Sequence, residues 1–168
     1  MSEERTVKVQ ELSKAAFAKY GDYVDLLAPT GVKIGNAPIE FYRDMLQMHL
    51  GDGSVLPSFS ICKVENRPAV IDVTEYHSYA MEGNISLDGD TYMHFAKATP
   101  DGNPPLDEFE VFRIPKGTLV VAKPGVWHHA PFAVDKAPVH TLVILPERTY
   151  ANDCIVVELK KKEQIKFI

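Results

Sequence analysis

Residues 75–89, EYHSYAMEGNISLDG, decide how the rest of the sequence is interpreted. Glu75, His77 and Glu82 place three potential metal ligands within this short stretch. Residues two apart on a β-strand point to the same face, so Glu75 and His77 can converge on one point. Residues 123–129, KPGVWHH, bring further imidazoles from a distant segment. This pattern predicts a site assembled between neighbouring strands.

The chemical types in the two stretches are those of a divalent metal site. Imidazole and carboxylate together suit zinc, nickel, iron or manganese. With neutral histidines, two carboxylates give the empty site a charge of about −2, which a divalent cation neutralises. The residues alone leave open whether His128 or His129 faces the ion. Each piece also has an ordinary explanation: a histidine that only packs, Glu75 as a charge on a strand edge, and Trp127 as core packing.

Short strands separated by turn residues follow one another along the chain. A single helix is predicted over residues 14–19, with Ser13 as its N-cap and Gly21 at its end. Alternating apolar residues predict strands over residues 7–10, 22–27, 56–63, 84–87, 91–97, 109–114, 118–122, 139–145 and 155–159. Many short strands with hardly any helix predict an all-β barrel or sandwich. We expect one domain over residues 1–168.

Two turns suggest how neighbouring strands pair. Residues 39–50 are ambiguous between strand and helix, and alternation near their end favours a strand. Gly51-Asp52-Gly53 would then join this strand to residues 56–63 as a hairpin. Asp88-Gly89-Asp90 is a second hairpin signal, with residues 91–97 as the return strand.

Composition excludes several classes of function. The chain has 168 residues, 45% of them hydrophobic, and 18 basic against 23 acidic residues give a net charge of −5. This charge argues against a general nucleic-acid binder. We find no apolar signal region and no apolar run of membrane-spanning length. Cys62 and Cys154 lie outside any CxxC motif and are expected to be ordinary packed thiols, so we predict a cytoplasmic protein.

The spacing of the first stretch resembles the cupin superfamily. Its first motif runs His-x-His, three or four residues, Glu, six residues, Gly. Here Glu75 stands where the first histidine usually is, while His77, Glu82 and Gly89 match. The second cupin motif ends Gly-x-x-His, as residues 125–128 do. The resemblance implies a cupin-type β-barrel (a double-stranded β-helix) that holds one divalent metal ion on Glu75, His77, Glu82 and His128.

Within that superfamily the chain is most similar to the ureidoglycolate lyase family. Residues 17–22 resemble the family's Phe-x-x-Tyr-Gly-Asp, and residues 42–44 its Arg-Tyr-His-Asp region. Glu75-x-His77 matches its Glu-x-His, and residues 126–129 match its Val-Trp-His-His, the most specific of these elements. Residues 152–154 resemble its Asn-Cys element, so the likeness runs nearly end to end.

The chain departs from the family at several positions. Glu82 stands where the family tends to have glutamine, and residues 82–86, EGNIS, replace its Gln-Ala-Phe-Ile-Pro run. Leu145-Pro146 replaces a late Asp-Arg, with Arg148 nearby. Because of these departures, a close relative of the family with an altered substrate is a further alternative.

The resemblance implies a homodimeric lyase that releases urea from ureidoglycolate to give glyoxylate, a step of allantoin and purine degradation. We predict His129 and Tyr92 as base and acid, Arg113 or Arg43 as a clamp for the substrate carboxylate, and His94 as a polar pocket residue. A cupin isomerase or lyase for a sugar acid or other hydroxy acid is the first alternative. A non-catalytic small-molecule-binding cupin is the second, and a barrel whose histidines only pack in the core is the third.

Overall fold

The structure is a computed structural model that describes residues 5–51 and 55–168. In chain order its elements are β1 (Arg5–Val7), β2 (Val9–Glu11), α1 (Lys14–Phe17), β3 (Gly21–Asp25), β4 (Lys33–Asn36), β5 (Ile39–Tyr42), β6 (Pro57–Val64), β7 (Val70–Ile71), β8 (Val73–Tyr76), β9 (Glu82–Ser86), β10 (Thr91–Phe95), β11 (Glu110–Ile114), β12 (Thr118–Ala122), β13 (Phe132–Ala133), β14 (Val139–Pro146), α2 (Thr149–Asn152), β15 (Ile155–Glu158) and β16 (Ile165–Phe167). Neither helix is longer than four residues. In the described part of the chain, no helix is long and apolar enough to cross a membrane.

Two larger sheets form the barrel. One has the order β3-β12-β9-β14-β6 and the other the order β13-β10-β11-β2. From β9 to β14 the chain alternates between them: β9 lies in the first sheet, β10 and β11 in the second, β12 in the first, β13 in the second and β14 in the first. This alternation is that of a double-stranded β-helix, so the predicted all-β cupin-type barrel is confirmed.

The second sheet is extended by two isolated bridges. Ala96 pairs with Trp127, and His128 pairs with Glu75 on β8, which in turn pairs with β15. Segment 127–129 therefore lies between β8 and the end of β10. This pairing brings the two motif stretches side by side.

Both faces of the second sheet are covered by apolar residues. The inner face contributes Met93, Phe95, Phe112 and Ile114 to a core closed by α1 and β12. The outer face contributes Val111 and Phe132 to a separate core, capped by β7 and the C-terminal β16. The sheet is therefore buried on both sides, and a side chain can be buried without pointing into the barrel.

The two predicted hairpins are wrong. Residues 43–50 contain no strand, and the neighbour of β6 in its sheet is β14. Residues 52–54 of the predicted turn lie outside the described residues. The Asp88-Gly89-Asp90 turn does connect β9 to β10, but these strands enter different sheets and do not pair. Its carboxylates bind neighbouring strands instead: Asp88 accepts from His140, and Asp90 accepts from Arg113.

The chain before β6 differs from the prediction in two places. β4 and β5 form a hairpin where no strand pairing is predicted. Gly21 does not end the helix, because α1 stops at Phe17 and Gly21 begins β3 opposite Ala122. Ser13 caps α1 as predicted, since its hydroxyl accepts from the Ala16 N–H. The single-turn α2 carried no periodic signal in the sequence.

Candidate metal centre

Three of the predicted ligands meet where β8 lies beside segment 127–129. Glu75 is on β8, His77 follows its last residue, and His128 bridges to Glu75 from the neighbouring segment. One potential ligand atom of each lies within 4.8 Å of the others. Both histidines are buried, and Glu75 is half-buried. The side chains therefore converge on one point, as the two-residue spacing on a strand requires.

Backbone carbonyls fix the orientation of both imidazole rings. The Nδ1 atom of His77 lies 2.6 Å from the carbonyl oxygen of Asp153, and that of His128 lies 2.8 Å from the carbonyl oxygen of Val126. A carbonyl only accepts, so each Nδ1 carries a proton and donates it. In the neutral ring the lone pair is then on Nε2, which faces the cluster in both residues. This arrangement is the one that orients metal-binding histidines in proteins.

Glu82, the first residue of β9, closes the cluster from the facing sheet. Its Oε2 lies 3.0 Å from His77 Nε2 and 3.3 Å from His128 Nε2, and the residue is only 9% exposed. Burial disfavours the charged carboxylate, but the two imidazoles outweigh it and hold the pKa of Glu82 well below its usual range. Glu82 therefore joins the two histidines of the cluster, although it is not among the three residues whose ligand atoms all lie within 4.8 Å of one another.

The alternation of side chains determines which of the two neighbouring histidines points inward. Trp127 packs in the outer core, with its indole N–H donated to the Thr99 hydroxyl over 3.0 Å. His128, the next residue, points to the opposite face and into the cluster. His129 lies outside the set of residues that line the adjacent cavity, and its Nδ1 is buried without a partner among the described residues. Burial lowers the pKa of His129, so the ring is neutral near pH 7.

A cavity of about 210 Å³ lies against the cluster. Its polar wall carries ligand-type side chains and the two cysteines, and its other wall is apolar. The lining residues are Cys62, Glu75, His77, Glu82, Asn84, Ala130, Pro131, Val143, Leu145, Tyr150 and Cys154. None of these lining residues is a lysine or arginine. The oxygen and nitrogen donors of the adjacent cluster fit a divalent cation.

Tyr92 and His94 are not brought to this cluster. Both are on β10, whose inward residues are Met93 and Phe95, so they point to the outer face of the sheet. Tyr92 packs on Phe167 in the outer core, and the buried His94 ring packs on Phe109 while its Nε2 lies 3.3 Å from the Thr74 hydroxyl. Burial lowers the pKa of His94 well below its ordinary value, so it is a neutral packing histidine. The predicted acid and pocket roles therefore have no geometric support.

The two predicted arginine clamps lie elsewhere. Arg113 is on the surface, bound to Asp90 at 2.7 Å and near Glu11 at 3.8 Å. Arg43 is exposed and paired with the adjacent Asp44 at 2.9 Å. Neither lines the cavity. Their charges are instead part of surface ion pairs, which are worth little in water.

The structure adds residues that sequence reasoning did not select. Asp153 accepts from the N–H groups of Ser78 and Tyr79 through its two carboxylate oxygens, at 2.7 and 2.9 Å. The thiol of Cys154 donates to Glu75 Oε2 over 3.3 Å, and burial together with that carboxylate raises the pKa of the thiol to about 12. Cys62 lies in the same cavity wall, so the cysteines are not simply packed thiols. The Asn-Cys resemblance over residues 152–154 was the one available signal.

Replacing Asp153 with alanine should weaken metal binding about tenfold to a hundredfold. The carboxylate ties the backbone after His77 to Asp153, whose main-chain carbonyl accepts from the His77 ring. Alanine keeps that carbonyl but loses the tie, so the ring of His77 is held less firmly. Metal affinity is measured by competition with a chelating dye. Asp153→Asn, which keeps one acceptor oxygen, should lose less.

Asp101→Ala is the matched control, because Asp101 also accepts a backbone N–H, from Asn103 in a surface loop that does not line the cavity. It should leave metal affinity unchanged. A parental metal affinity in Asp153→Ala would show that the Asp153 carboxylate does not help to orient His77.

The metal-free protein should lose stability as the pH rises from about 6.5 to 9. Burial disfavours the imidazolium of His128, but the Glu82 carboxylate outweighs burial and raises the pKa of His128 from 6.5 to about 9. Below pH 6.5 the proton is bound in both the folded and the unfolded chain, and the stabilisation is complete. Between pH 6.5 and 9 only the folded chain keeps the His128 proton. The free energy of unfolding therefore falls by up to about 1.4 kcal/mol per pH unit.

Urea unfolding of chelator-treated protein across this pH range measures the effect. Glu82→Gln removes the charge that raises the His128 pKa and should flatten the curve between these pH values. A parental curve that is already flat there would contradict the assignment of the ion pair.

Fold and cluster together define a cupin-type barrel with a buried histidine–carboxylate centre facing a small cavity. The family model of ureidoglycolate lyase matches residues 4–166. The chain belongs to the ureidoglycolate lyase family, and this membership confirms the predicted class of enzyme, a lyase.

Curated relatives are similar in sequence to this chain over almost their whole length. Ureidoglycolate lyases of Escherichia coli O1:K1 / APEC, Escherichia coli strain K12 / DH10B and Shigella boydii serotype 18 are each 25% identical over 158 residues, which cover 94% of this chain and 96% of theirs. Among solved structures, oxalate decarboxylase of Bacillus subtilis is similar at 18% identity with a TM-score of 0.44. That match covers 63% of this chain and 24% of the other, so the chain spans about a quarter of that protein, and the likeness carries no argument about function.

Proposed function

We propose that the protein is a metal-dependent ureidoglycolate lyase that releases urea and leaves glyoxylate. The observation that carries this proposal is the pair of imidazoles whose Nε2 atoms face two carboxylates beside a small cavity, in a chain of this family. Glu75, His77, Glu82 and His128 would hold one divalent ion. The small volume of the cavity suits a compact carboxylate substrate.

The reaction requires a proton to move from oxygen to nitrogen. The hydroxyl of ureidoglycolate loses its proton, the oxygen electron pair forms the carbonyl of glyoxylate, and the carbon–nitrogen bond breaks. The nitrogen that leaves with urea then gains a proton. When bound, a divalent ion supplies Lewis acidity, which lowers the pKa of a coordinated hydroxyl.

Glu75 and Cys154 form the pair that we assign to this proton transfer. The Cys154 thiol donates to the Glu75 carboxylate, and both line the cavity. Glu75 would accept the hydroxyl proton while the thiol gives its own proton to the departing nitrogen. Return of the proton from Glu75 to Cys154 then restores the starting state, so the atoms balance over one turnover.

The direct test is turnover of ureidoglycolate by protein loaded separately with manganese, nickel, zinc or iron. Formation of glyoxylate and urea in equal amounts, abolished by a chelator and restored by one of these ions, is the expected result. A metal-loaded protein that binds but does not cleave ureidoglycolate would favour a binding cupin. Turnover of a sugar acid or another hydroxy acid in its place would favour the alternative enzyme.

We also propose that two copies pair through the outer face of the first sheet. One in-register row crosses all five strands with apolar residues that are exposed or half-buried, namely Val24, Leu119, Ile85, Leu142 and Ile61. The edge strand β6 adds Phe59, which is 65% exposed. An apolar face that continues to a sheet edge can be covered by a second copy of the same face around a two-fold axis.

Light scattering after size exclusion tests this pairing. The parent should be a dimer, and Phe59→Glu combined with Ile61→Glu should be a monomer. Leu27→Glu, on an exposed loop, is the control and should remain a dimer. A monomeric parent would refute the interface.

A further inference from the structure

Asn84 carries an unsatisfied buried acceptor in the wall of the cavity. The residue is 3% exposed, and its Oδ1 has no hydrogen-bond partner among the described residues. Buried polar atoms in folded proteins nearly always have a partner, because an unpaired one forfeits its hydrogen bond to water. The atom therefore calls for a partner that the chain itself does not provide.

The position of Asn84 connects this acceptor to the candidate metal centre. Asn84 follows Glu82 by two residues on β9, so both side chains point into the barrel. Both also line the cavity, together with Glu75 and His77. A small molecule held at the cluster would reach Asn84 with the part that extends along β9.

We propose that Asn84 is the specificity-determining residue that binds the ureido group of the substrate. A carboxamide can accept from a ureido N–H and donate to a ureido carbonyl, so the two planar groups can pair through two hydrogen bonds. Val143, which pairs with Asn84 on the neighbouring strand β14, and Leu145 also line the cavity and offer no competing side-chain partner for these groups. This inference rests on the proposed function and adds a ureide contact of this chain's own, since Asn84 lies in the stretch that replaces the family's Gln-Ala-Phe-Ile-Pro run.

Asn84→Leu tests the proposal, because leucine has a similar size and no polar atoms. The KM for ureidoglycolate should rise at least about tenfold with a smaller change in kcat, since a contact made in both the bound and the transition state is lost. Binding of urea alone to the metal-loaded protein, followed by saturation-transfer NMR, should weaken by a similar factor. Binding of glycolate, which has the carboxylate and hydroxyl but no ureido group, should change less than about twofold.

Two further variants keep the test interpretable. Asn84→Ala also removes the amide, so it should weaken urea binding if the leucine variant fails to fold. Ser86→Ala removes another buried polar group from the same strand, one that bonds Thr91, and should leave urea binding unchanged. Equal urea binding by the parent and both Asn84 variants would overturn the proposal. The partner of the Asn84 Oδ1 atom would then be a bound water.

The outcomes separate this inference from the proposed function. If the parent cleaves ureidoglycolate and the Asn84 variants keep the parental KM, the role of Asn84 is wrong and the lyase stands. If the parent cleaves no ureide but its urea binding is lost with Asn84, recognition by the amide stands and the lyase is wrong.

Discussion

Replacement of His128 with alanine should abolish both metal retention and ureidoglycolate cleavage, with kcat/KM reduced at least about a thousandfold. His128 is 2% exposed, its Nδ1 is bound to a carbonyl, and its Nε2 faces the cluster, so alanine removes one nitrogen donor from the cluster. The measurements are metal content by mass spectrometry and steady-state formation of glyoxylate.

His140→Ala provides the matched control for this variant. His140 is a half-buried histidine bound to Asp88 at 2.7 Å and lies outside the cavity wall. It should keep parental metal content and activity. His128→Gln, which retains an N–H donor for Glu82, separates loss of the ion from loss of the fold. Full activity in His128→Ala would refute the assignment of the ligand.

Cys154→Ala should reduce kcat about a hundredfold or more while leaving metal content unchanged. The thiol is the group that we assign as proton donor to the departing nitrogen, and it contacts the cluster through its hydrogen bond to Glu75. Rapid-quench measurement of glyoxylate formation isolates the chemical step from product release.

Cys154→Ser should recover part of the rate, because a hydroxyl can also donate to Glu75 and carry the proton. Cys62→Ala, in the same cavity wall, is the control for loss of a thiol. A parental kcat in Cys154→Ala would eliminate the thiol from proton transfer, and loss of metal in that variant would reassign its role to holding Glu75.

Local spacing predicted the strands and the cluster because both depend on the short-range geometry of the chain. Strand β12 has the predicted bounds, and Glu75 with His77 meets the distant His128 as the spacing of the motifs required. The two-residue period on a strand is the physical basis of that success. It also resolved which of the adjacent histidines faces inward, once the direction of Trp127 was known.

Side-chain period could not say which face of β10 lines the barrel. Tyr92 and His94 alternate with Met93 and Phe95, and both faces of this sheet are covered by apolar clusters. When both faces of a sheet are buried, the burial of a side chain does not show that it points into the barrel. Polarity alone therefore places Tyr92 and His94 in the pocket, whereas both lie in the outer core.

Turn residues predicted reversals of the chain but not the partner of each strand. The turn at residues 88–90 crosses from one sheet to the other, and β6 finds its partner in the distant β14. Pairing of that range is set by the packing of the whole barrel. The same long-range packing places Asn84, Asp153 and Cys154 at the site, and a single such residue has no recognisable spacing in the sequence.

The metal content of protein purified without added metal, for the parent and for His77→Ala, shows whether the cluster is a metal site. We expect close to one divalent ion per chain in the parent, by mass spectrometry, and little in the variant. Reconstitution with excess metal followed by gel filtration should give the same contrast. If neither protein holds or takes up an ion, or if His77→Ala keeps the parental content, the histidine–carboxylate cluster is a packed core and the metal-dependent lyase mechanism is wrong.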